Sequence, residues 1–328
     1  MAIYRDQTGT IENKWVASFY NDVVNGLRAS PKHLQSKYFY DEAGDRLFQQ
    51  IMECPEYYLT RCELEIFSQQ IKDLAHTFLD RYKEFDVVEL GAGDATKSIY
   101  LLRYLSHMGF DFTYYPVDIS ANVINLLEKN IPEQIPGLQV KGLNGEYVEM
   151  IRAANKISNK RKLVLFLGSN IGNFTREEAL HFLKNINKSM VSGDLMLIGF
   201  DLKKDPRQIL AAYNDARGIT KAFNLNLLKR INRELDADFD ESQFEHFPVY
   251  DPVSGACKSY LISLRQQSVT IADSEVIRFD RFEPVQMELS QKYSLKEIDE
   301  IATHTGFKPV EHFYDNRECF LDAVWEKQ

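Results

Sequence analysis

Residues 85–98 read Phe-Asp-Val-Val-Glu-Leu-Gly-Ala-Gly-Asp-Ala-Thr-Lys-Ser, and few folds accept that order of residues. An apolar run carrying the β-branched Val87 and Val88 ends in two glycines and passes into residues 99–105, whose apolar positions recur at helical spacing. The pattern predicts strand, tight turn, helix. Gly91 and Gly93 permit a sharp bend and a close approach of backbone to a ligand, and the unpaired amides of the following helix point to the same spot. Such a βα turn belongs to an α/β sheet that binds a nucleotide-like molecule.

Three ligand readings compete for it. A dinucleotide fingerprint needs a third glycine where Thr96 stands, and a phosphate loop needs a glycine immediately before Lys97, so each fails by one position. The third reading is the S-adenosylmethionine site of class I methyltransferases, in which an acid before the first glycine and a second acid ending the next strand hold the amino acid and ribose of the cofactor. Glu89, Gly91 and Gly93 supply the first part. Asp118 closes the apolar run 112–118 and offers a carboxylate to both ribose hydroxyls. A dinucleotide site, or a glycine turn needed only for packing, stays open on these residues alone.

At 328 residues, 44% of them hydrophobic, the chain is long enough for two domains, each with a packed core. A formal charge of −9 argues against a nucleic-acid partner, because affinity for phosphates rests on lysine and arginine. The one basic cluster, Lys156, Lys160, Arg161 and Lys162, reads as a solvated turn. Cys54, Cys62, Cys257 and Cys319 form no C-x-x-C and have no histidine at metal-ligand spacing, so neither a metal site nor a disulfide framework is indicated. Reduced cysteines imply a cytoplasmic location. Residues 1–10 lack the apolar core of a leader, and nowhere do roughly 18 apolar residues run together, so no membrane association and no obligate protein partner is expected.

Taken in order, residues 14–27 carry an apolar helical stripe that breaks at Ser30-Pro31, a helix spans about 45–52, and aromatic residues including Tyr40, Tyr57 and Tyr58 cluster in non-periodic segments. These either cover a core edge or wall a pocket. One helix over 62–79 leads into the glycine-turn strand. Ser120 caps a helix to Asn130, and a strand over 138–143 ends near Glu146-Tyr147, a position suited to an adenine or to a plain surface loop. The continuously apolar run 163–167 predicts a central strand, followed by a loop in which Asn170 and Asn173 lie beyond the strand end where ligands bind. Asn173 or Thr175 alternatively caps the helix 176–190. A fifth strand covers 195–200.

The pattern then changes. Helices over 206–216 and 219–235 precede β-like runs at 244–250, 258–265, 268–271, 276–279 and 285–290, which suggests an inserted α+β unit with an antiparallel sheet. In the last run Val285, Met287 and Leu289 share one face and Gln286, Glu288 and Ser290 the other. Ser294 and Glu297 form a capping box for a helix ending near Gly306, and strands over 307–313 and 318–325 close the chain.

Several of these stretches together resemble the histidine Nα-methyltransferases of ergothioneine biosynthesis. The resemblance runs from about Ser30 onward. It is carried by Lys37-Tyr38-Phe39-Tyr40-Asp41, Pro55-Glu56-Tyr57-Tyr58 with Thr60-Arg61, Glu89-Leu90-Gly91 with Lys97, Pro116-Val117-Asp118, Phe166-Leu167-Gly168-Ser169 with Ile171-Gly172-Asn173, Ala212-Tyr213-Asn214-Asp215, Ala222-Phe223-Asn224 and Asn232-Arg233-Glu234-Leu235. It implies a class I methyltransferase Rossmann-like sheet with helices on both faces, plus an inserted α+β substrate-binding domain. Residues 63–201 and 293–328 would bind S-adenosylmethionine, and residues 1–62 and 202–292 would recognise the substrate. By resemblance Gly91, Lys97, Asp118, Glu146 and Tyr147 contact the cofactor, Tyr57, Asn173 and Tyr213 hold the α-amino and carboxylate end of a small-molecule amino acid, and Glu288 and Ser290 read the imidazole ring. Tyr40 and Tyr57 are candidates for an aromatic wall. Two residues depart from the family pattern: Glu146 stands where aspartate is typical, and Ser259 where relatives can carry a larger apolar residue. A methyltransferase for another amino acid or small amine, or a non-catalytic S-adenosylmethionine-binding regulator, are the alternatives.

Overall fold

The computed structural model describes residues 14–272 and 274–328, so the N-terminal decapeptide read above lies outside the described residues. The chain divides into two compact units. One runs to Tyr58 and resumes over Lys204–Ser290, and the other comprises Leu59–Lys203 and Gln291–Gln328.

Helices α1 (Lys14–Arg28) and α2 (Glu42–Met52) belong to the first unit, and α3 (Leu59–Gln69) and α4 (Ile71–Leu79) open the second. Where the apolar periodicity predicts one helix over 62–79, there are two. Gln70 leaves helical geometry at φ −114° and ψ 12°, and its side-chain amide donates to the Tyr314 carbonyl at 2.6 Å. That tertiary bond interrupts a run containing neither glycine nor proline.

From α4 the chain enters a repeating α/β pattern: β1 (Phe85–Leu90), α5 (Ser98–His107), β2 (Thr113–Asp118), α6 (Ala121–Gln134), the short β3 (Gln139–Val140) and β4 (Leu143–Asn144), α7 (Tyr147–Ile157), β5 (Arg161–Phe166), α8 (Arg176–Ser189) and β6 (Leu195–Asp201). The single strand expected over 138–143 is split, because Gly142 leaves the sheet: a Cβ there would lie 2.2 Å from Ile124 Cγ2, and its amide instead donates to Glu128 at 2.7 Å. Glu146 and Tyr147 fall at the start of α7, as its N-cap and first residue. After β6 the first unit resumes with α9 (Pro206–Ala212), α10 (Ile219–Leu235) and strands β7 (Phe244–Asp251), β8 (Ala256–Ser263), β9 (Gln267–Ile271), β10 (Glu275–Phe279) and β11 (Pro284–Gln291). The expected helix over 206–216 ends at Ala212, two turns from its Asp205 cap. The chain closes with α11 (Leu295–His304), β12 (Phe307–Tyr314) and β13 (Phe320–Lys327).

In the second unit the strand order is β12-β13-β6-β5-β1-β2-β3, with β4 also on β2. Strands β1 to β6 pair in parallel, whereas β13 pairs antiparallel with both β6 and β12. The architecture is the class I methyltransferase sheet. Alternation along β1 sends Val88 and Leu90 into a core with Ile151 of α7, Leu183 of α8 and Ile298 of α11, while Phe85 meets Phe78 of α4 on the opposite face. Helices therefore cover both faces, and buried strands can be apolar throughout. The order reverses beside β1, whose neighbours are β5 and β2, so the loops leaving β1 and β5 diverge and open a crevice at their carboxyl ends.

The first unit holds the sheets β11-β8-β7 and β10-β9, β7 and β8 being antiparallel in register Phe244↔Ser263 to Asp251↔Ala256. Its core joins Phe19 of α1, Phe39, and Phe223 and Leu227 of α10 to Leu261 and Met287 of the sheet. The early segment is stitched to β11 by main-chain bonds, Leu34 N to the Gln286 carbonyl at 2.8 Å and Gln286 N to the Lys32 carbonyl at 3.0 Å. Among the described residues no helix is long and apolar enough to cross a membrane.

Candidate active site

The turn after β1 owes its shape to two glycines at positive φ, Gly91 at +69° and Gly93 at +53°. Amides of Gly91 and Ala92 donate to the Val117 carbonyl at 2.8 and 3.2 Å, which clips the turn to the end of β2 beside Asp118. A Cβ on Gly91 would come within 3.0 Å of Tyr147 Oη and 3.5 Å of Asn170 Nδ2, so only glycine lets α7 and the loop after β5 close on the turn. At Gly93 a Cβ would meet nothing within 4 Å. The outer side of the bend is open to a ligand.

Four acids and phenols named from the sequence surround this bend in different states. Glu89 is buried, and Tyr114 Oη donates to its Oε2 at 2.5 Å. Burial pushes its carboxyl up to about 7, against hydrogen bonds from Ser98 and Tyr114 and the nearby Lys97 charge. Glu89 thus backs the turn from inside the sheet. Asp118 ends β2 half-buried; its Oδ1 accepts from Ser120 N at 2.9 Å, and burial raises its pKa despite backbone amides including that of Gly93. Glu146 occupies the N-cap position of α7 but makes no side-chain cap bond, and it is exposed. Tyr147 follows, edge-on to Phe166 at 5.8 Å, with burial pushing its phenol up to about 12.

The state of Glu89 gives a pH prediction. Its carboxyl titrates near 7 in the fold against 4.5 ordinarily, so the folded state holds the proton between those values. Its contribution is fully favourable below about 4.5, falls as pH rises through 7, and stays low above. Glu89→Gln, which cannot ionise, is expected to match the parent at about pH 4 and to exceed it at about pH 8 by on the order of 3 kcal/mol at most. Denaturant unfolding at both pH values checks this; a variant no more stable at pH 8 refutes it.

Lys97 is the last residue before α5, and its ammonium is held by the buried Glu63 carboxylate of α3. Burial disfavours the Lys97 charge, but Glu63 outweighs it and raises the pKa. Glu63 also accepts from the Gly168 amide, at 2.7 and 3.0 Å to its two oxygens. Gly168 opens the loop after β5, whose one-turn 3-10 helix Asn170–Asn173 ends in an exposed Asn173. The cap of α8 is Thr175, in a reciprocal capping box with Glu178, so Asn173 is not used for capping.

The remaining named residues lie in the first unit. Tyr213, after α9, donates from Oη to Ser290 Oγ at 2.6 Å, and both are buried. Glu288, half-buried, shares the Ser290 face of β11 by strand alternation. Tyr57 stands edge-on to Tyr213 at 6.4 Å and to Phe48 at 6.2 Å, and Tyr40, 46% exposed, stands edge-on to Phe48 at 5.6 Å and Phe223 at 5.7 Å. Five rings thereby form one edge-to-face cluster of the kind aromatic quadrupoles favour. Phe48 is not singled out by the sequence, because it sits in a periodic helix where an apolar residue reads as core, and Phe223 enters only within the Ala222-Phe223-Asn224 stretch, with no role attached. Ser259 is buried with no hydrogen-bond partner for its hydroxyl among the described residues. No group of histidine, cysteine, aspartate or glutamate among the described residues could hold a metal ion.

The profile of a family described as "Histidine-specific methyltransferase, SAM-dependent" matches residues 19–327. A "Histidine N-alpha-methyltransferase" of Mycobacterium tuberculosis is 35% identical over 300 residues, 91% of this chain and 92% of that one. A protein with the same description from Mycolicibacterium smegmatis is 33% identical over 90% of each chain. "Ergothioneine biosynthesis protein 1" of Neurospora crassa is 32% identical over 90% of this chain and 33% of its own length.

Proposed function

Because the chain belongs to the family of histidine-specific, S-adenosylmethionine-dependent methyltransferases, we propose that it methylates the α-amino nitrogen of L-histidine, through to the trimethylated product hercynine. The observation that carries the choice of substrate is the pair on β11: a carboxylate at Glu288 and a hydroxyl at Ser290 on one strand face, with Ser290 held by Tyr213. A carboxylate and a hydroxyl two residues apart can satisfy both nitrogens of an imidazole. An apolar amino-acid side chain would offer no donor to the Glu288 carboxylate or the Ser290 hydroxyl, so it forgoes the interactions an imidazole makes there.

The residues of the glycine turn fit S-adenosylmethionine, which supplies a methyl group already activated on sulfonium sulfur. Asp118 would take the ribose hydroxyls, Glu146 and Tyr147 the adenine, and Lys97 with the Gly91 and Gly93 backbone the amino-acid end. Support comes from the close approach that Gly91 allows, the open space at Gly93, and a Glu146 carboxylate not spent on capping α7. No side-chain nucleophile is required. Tyr57, Asn173 and Tyr213 would hold the substrate's amine and carboxylate so that the nitrogen lone pair is aligned for transfer. The amine must be neutral to react; its reference pKa is roughly 8, so a modest shift provides free base near neutrality. A trimethylated product carries a fixed cation, which the faces of Tyr40 and Tyr57 can stabilise. Four buried cysteines that form no disulfide among the described residues fit work in the reducing cytoplasm.

Incubation with S-adenosylmethionine and equal concentrations of histidine, tryptophan and tyrosine, read by mass spectrometry, tests this. Mono-, di- and trimethylhistidine are expected, with little product from the other two. Faster methylation of tryptophan or tyrosine would remove the imidazole role from Glu288 and Ser290. Cofactor binding with no product from any substrate would mark a regulator.

A further inference from the structure

We propose that Glu63 is a positioning residue for cofactor binding, one carboxylate that sets the glycine-turn lysine and the loop after β5 against each other. Glu63 belongs to neither loop. It projects from α3, is 1% exposed, and spends its oxygens on two partners: the Gly168 amide, at 2.7 and 3.0 Å, and the Lys97 ammonium. Those partners open and close the two segments that diverge where the strand order reverses, the turn after β1 and the loop after β5.

Three further features show that the fold is built to receive this carboxylate. A Cβ on Gly199, in the middle of β6, would lie 2.4 Å from Glu63 Oε1, so the strand is kept bare where the carboxylate rests on it. Gly168 keeps a positive φ of +77°, and a Cβ there would come within 3.3 Å of Lys97 Nζ. Across β13, Asp322 pairs with Gly199 and is fully buried, with neither carboxylate oxygen bonded to a partner among the described residues. Burial and the Glu63 charge push the Asp322 carboxyl well above its usual range. Asp322 takes neither donor, which leaves Glu63 as the acceptor for both.

In the Glu63→Gln variant an amide NH2 must face either the Gly168 N–H or the Lys97 ammonium, which sets donor against donor and removes the carboxylate charge while the side-chain volume stays nearly the same. The inference rests on Lys97 serving the cofactor, and the experiment separates the two claims. S-adenosylhomocysteine affinity is measured by calorimetry for the parent, Glu63→Gln, Lys97→Met and the double variant. Amide exchange of residues 168–174 is followed in the cofactor-free protein. Glu63→Gln is expected to bind at least roughly tenfold more weakly, to raise KM for the cofactor more than it lowers kcat, and to exchange faster at 168–174 before any ligand is added. The double variant is expected to bind no more weakly than Lys97→Met, because the two residues act as a unit. Should Glu63→Gln fail to fold, Glu63→Asp, one methylene too short for both partners, is read in the same way. Affinity within twofold of the parent, unchanged exchange at 168–174, or losses that add in the double variant would overturn the assignment. If Lys97→Met alone leaves affinity unchanged, it is the role of Lys97 that fails.

Discussion

Histidine turnover by a Glu288→Ala variant is expected to fall roughly 10- to 150-fold in kcat/KM, the equivalent of one charge-assisted hydrogen bond worth about 1.5–3 kcal/mol. The loss should appear with the substrate and not with the cofactor, since the proposed role of Glu288 is toward the imidazole ring alone. S-adenosylhomocysteine affinity therefore serves as the internal control. Removing the carboxylate also removes the penalty on substrates with no ring nitrogen, so discrimination against tryptophan and tyrosine is expected to shrink by a similar factor. Glu288→Gln keeps an acceptor without the charge and should lose less. Steady-state kinetics with the three amino acids measures all of this, and histidine turnover that survives Glu288→Ala intact would dismiss the imidazole assignment.

Asp118→Ala should act on the other ligand. A carboxylate accepting from two ribose hydroxyls contributes two charge-assisted bonds, and its loss is expected to weaken S-adenosylhomocysteine by roughly 10²-fold or more. Asp118 has a structural duty as well, since its Oδ1 accepts from Ser120 N at the start of α6. Asp118→Asn retains an acceptor for that amide and separates the two roles. The asparagine variant should unfold near the parent's midpoint yet bind the cofactor poorly. Calorimetry and thermal unfolding read the two quantities, and an affinity within threefold of the parent in both variants would remove Asp118 from the ribose.

Much of the second unit could be read from local rules. The glycine turn and the carboxylate ending β2 are short sequence signals, and the Ser120 cap of α6 and the capping boxes at Thr175 and Ser294 are satisfied by groups within a few residues. What escaped depends on distant partners. Gln70 breaks a helix because of the Tyr314 carbonyl, Gly142 leaves the sheet because Ile124 fills its Cβ position, and Glu63 has two donors far along the chain. A glutamate at helical spacing beside Cys62 and Leu64-adjacent apolar residues reads as one polar position on an amphipathic surface, whereas it is wholly buried. Phe48 escaped for the opposite reason: an apolar ring on a helix already has a sufficient explanation. The pair on β11 was legible because alternation is the shortest-range rule of all.

The placing of β13 has a bearing on how the protein is made. It lies between β12 and β6, so residues 320–326 pair with residues 195–201 across the whole length of the α+β insertion. A nascent chain lacking them presents the apolar edge of β6 to its neighbours throughout translation of the whole α+β insertion, a template for pairing with other chains. Chains cut short before Phe320 are the ones to look for in inclusion bodies.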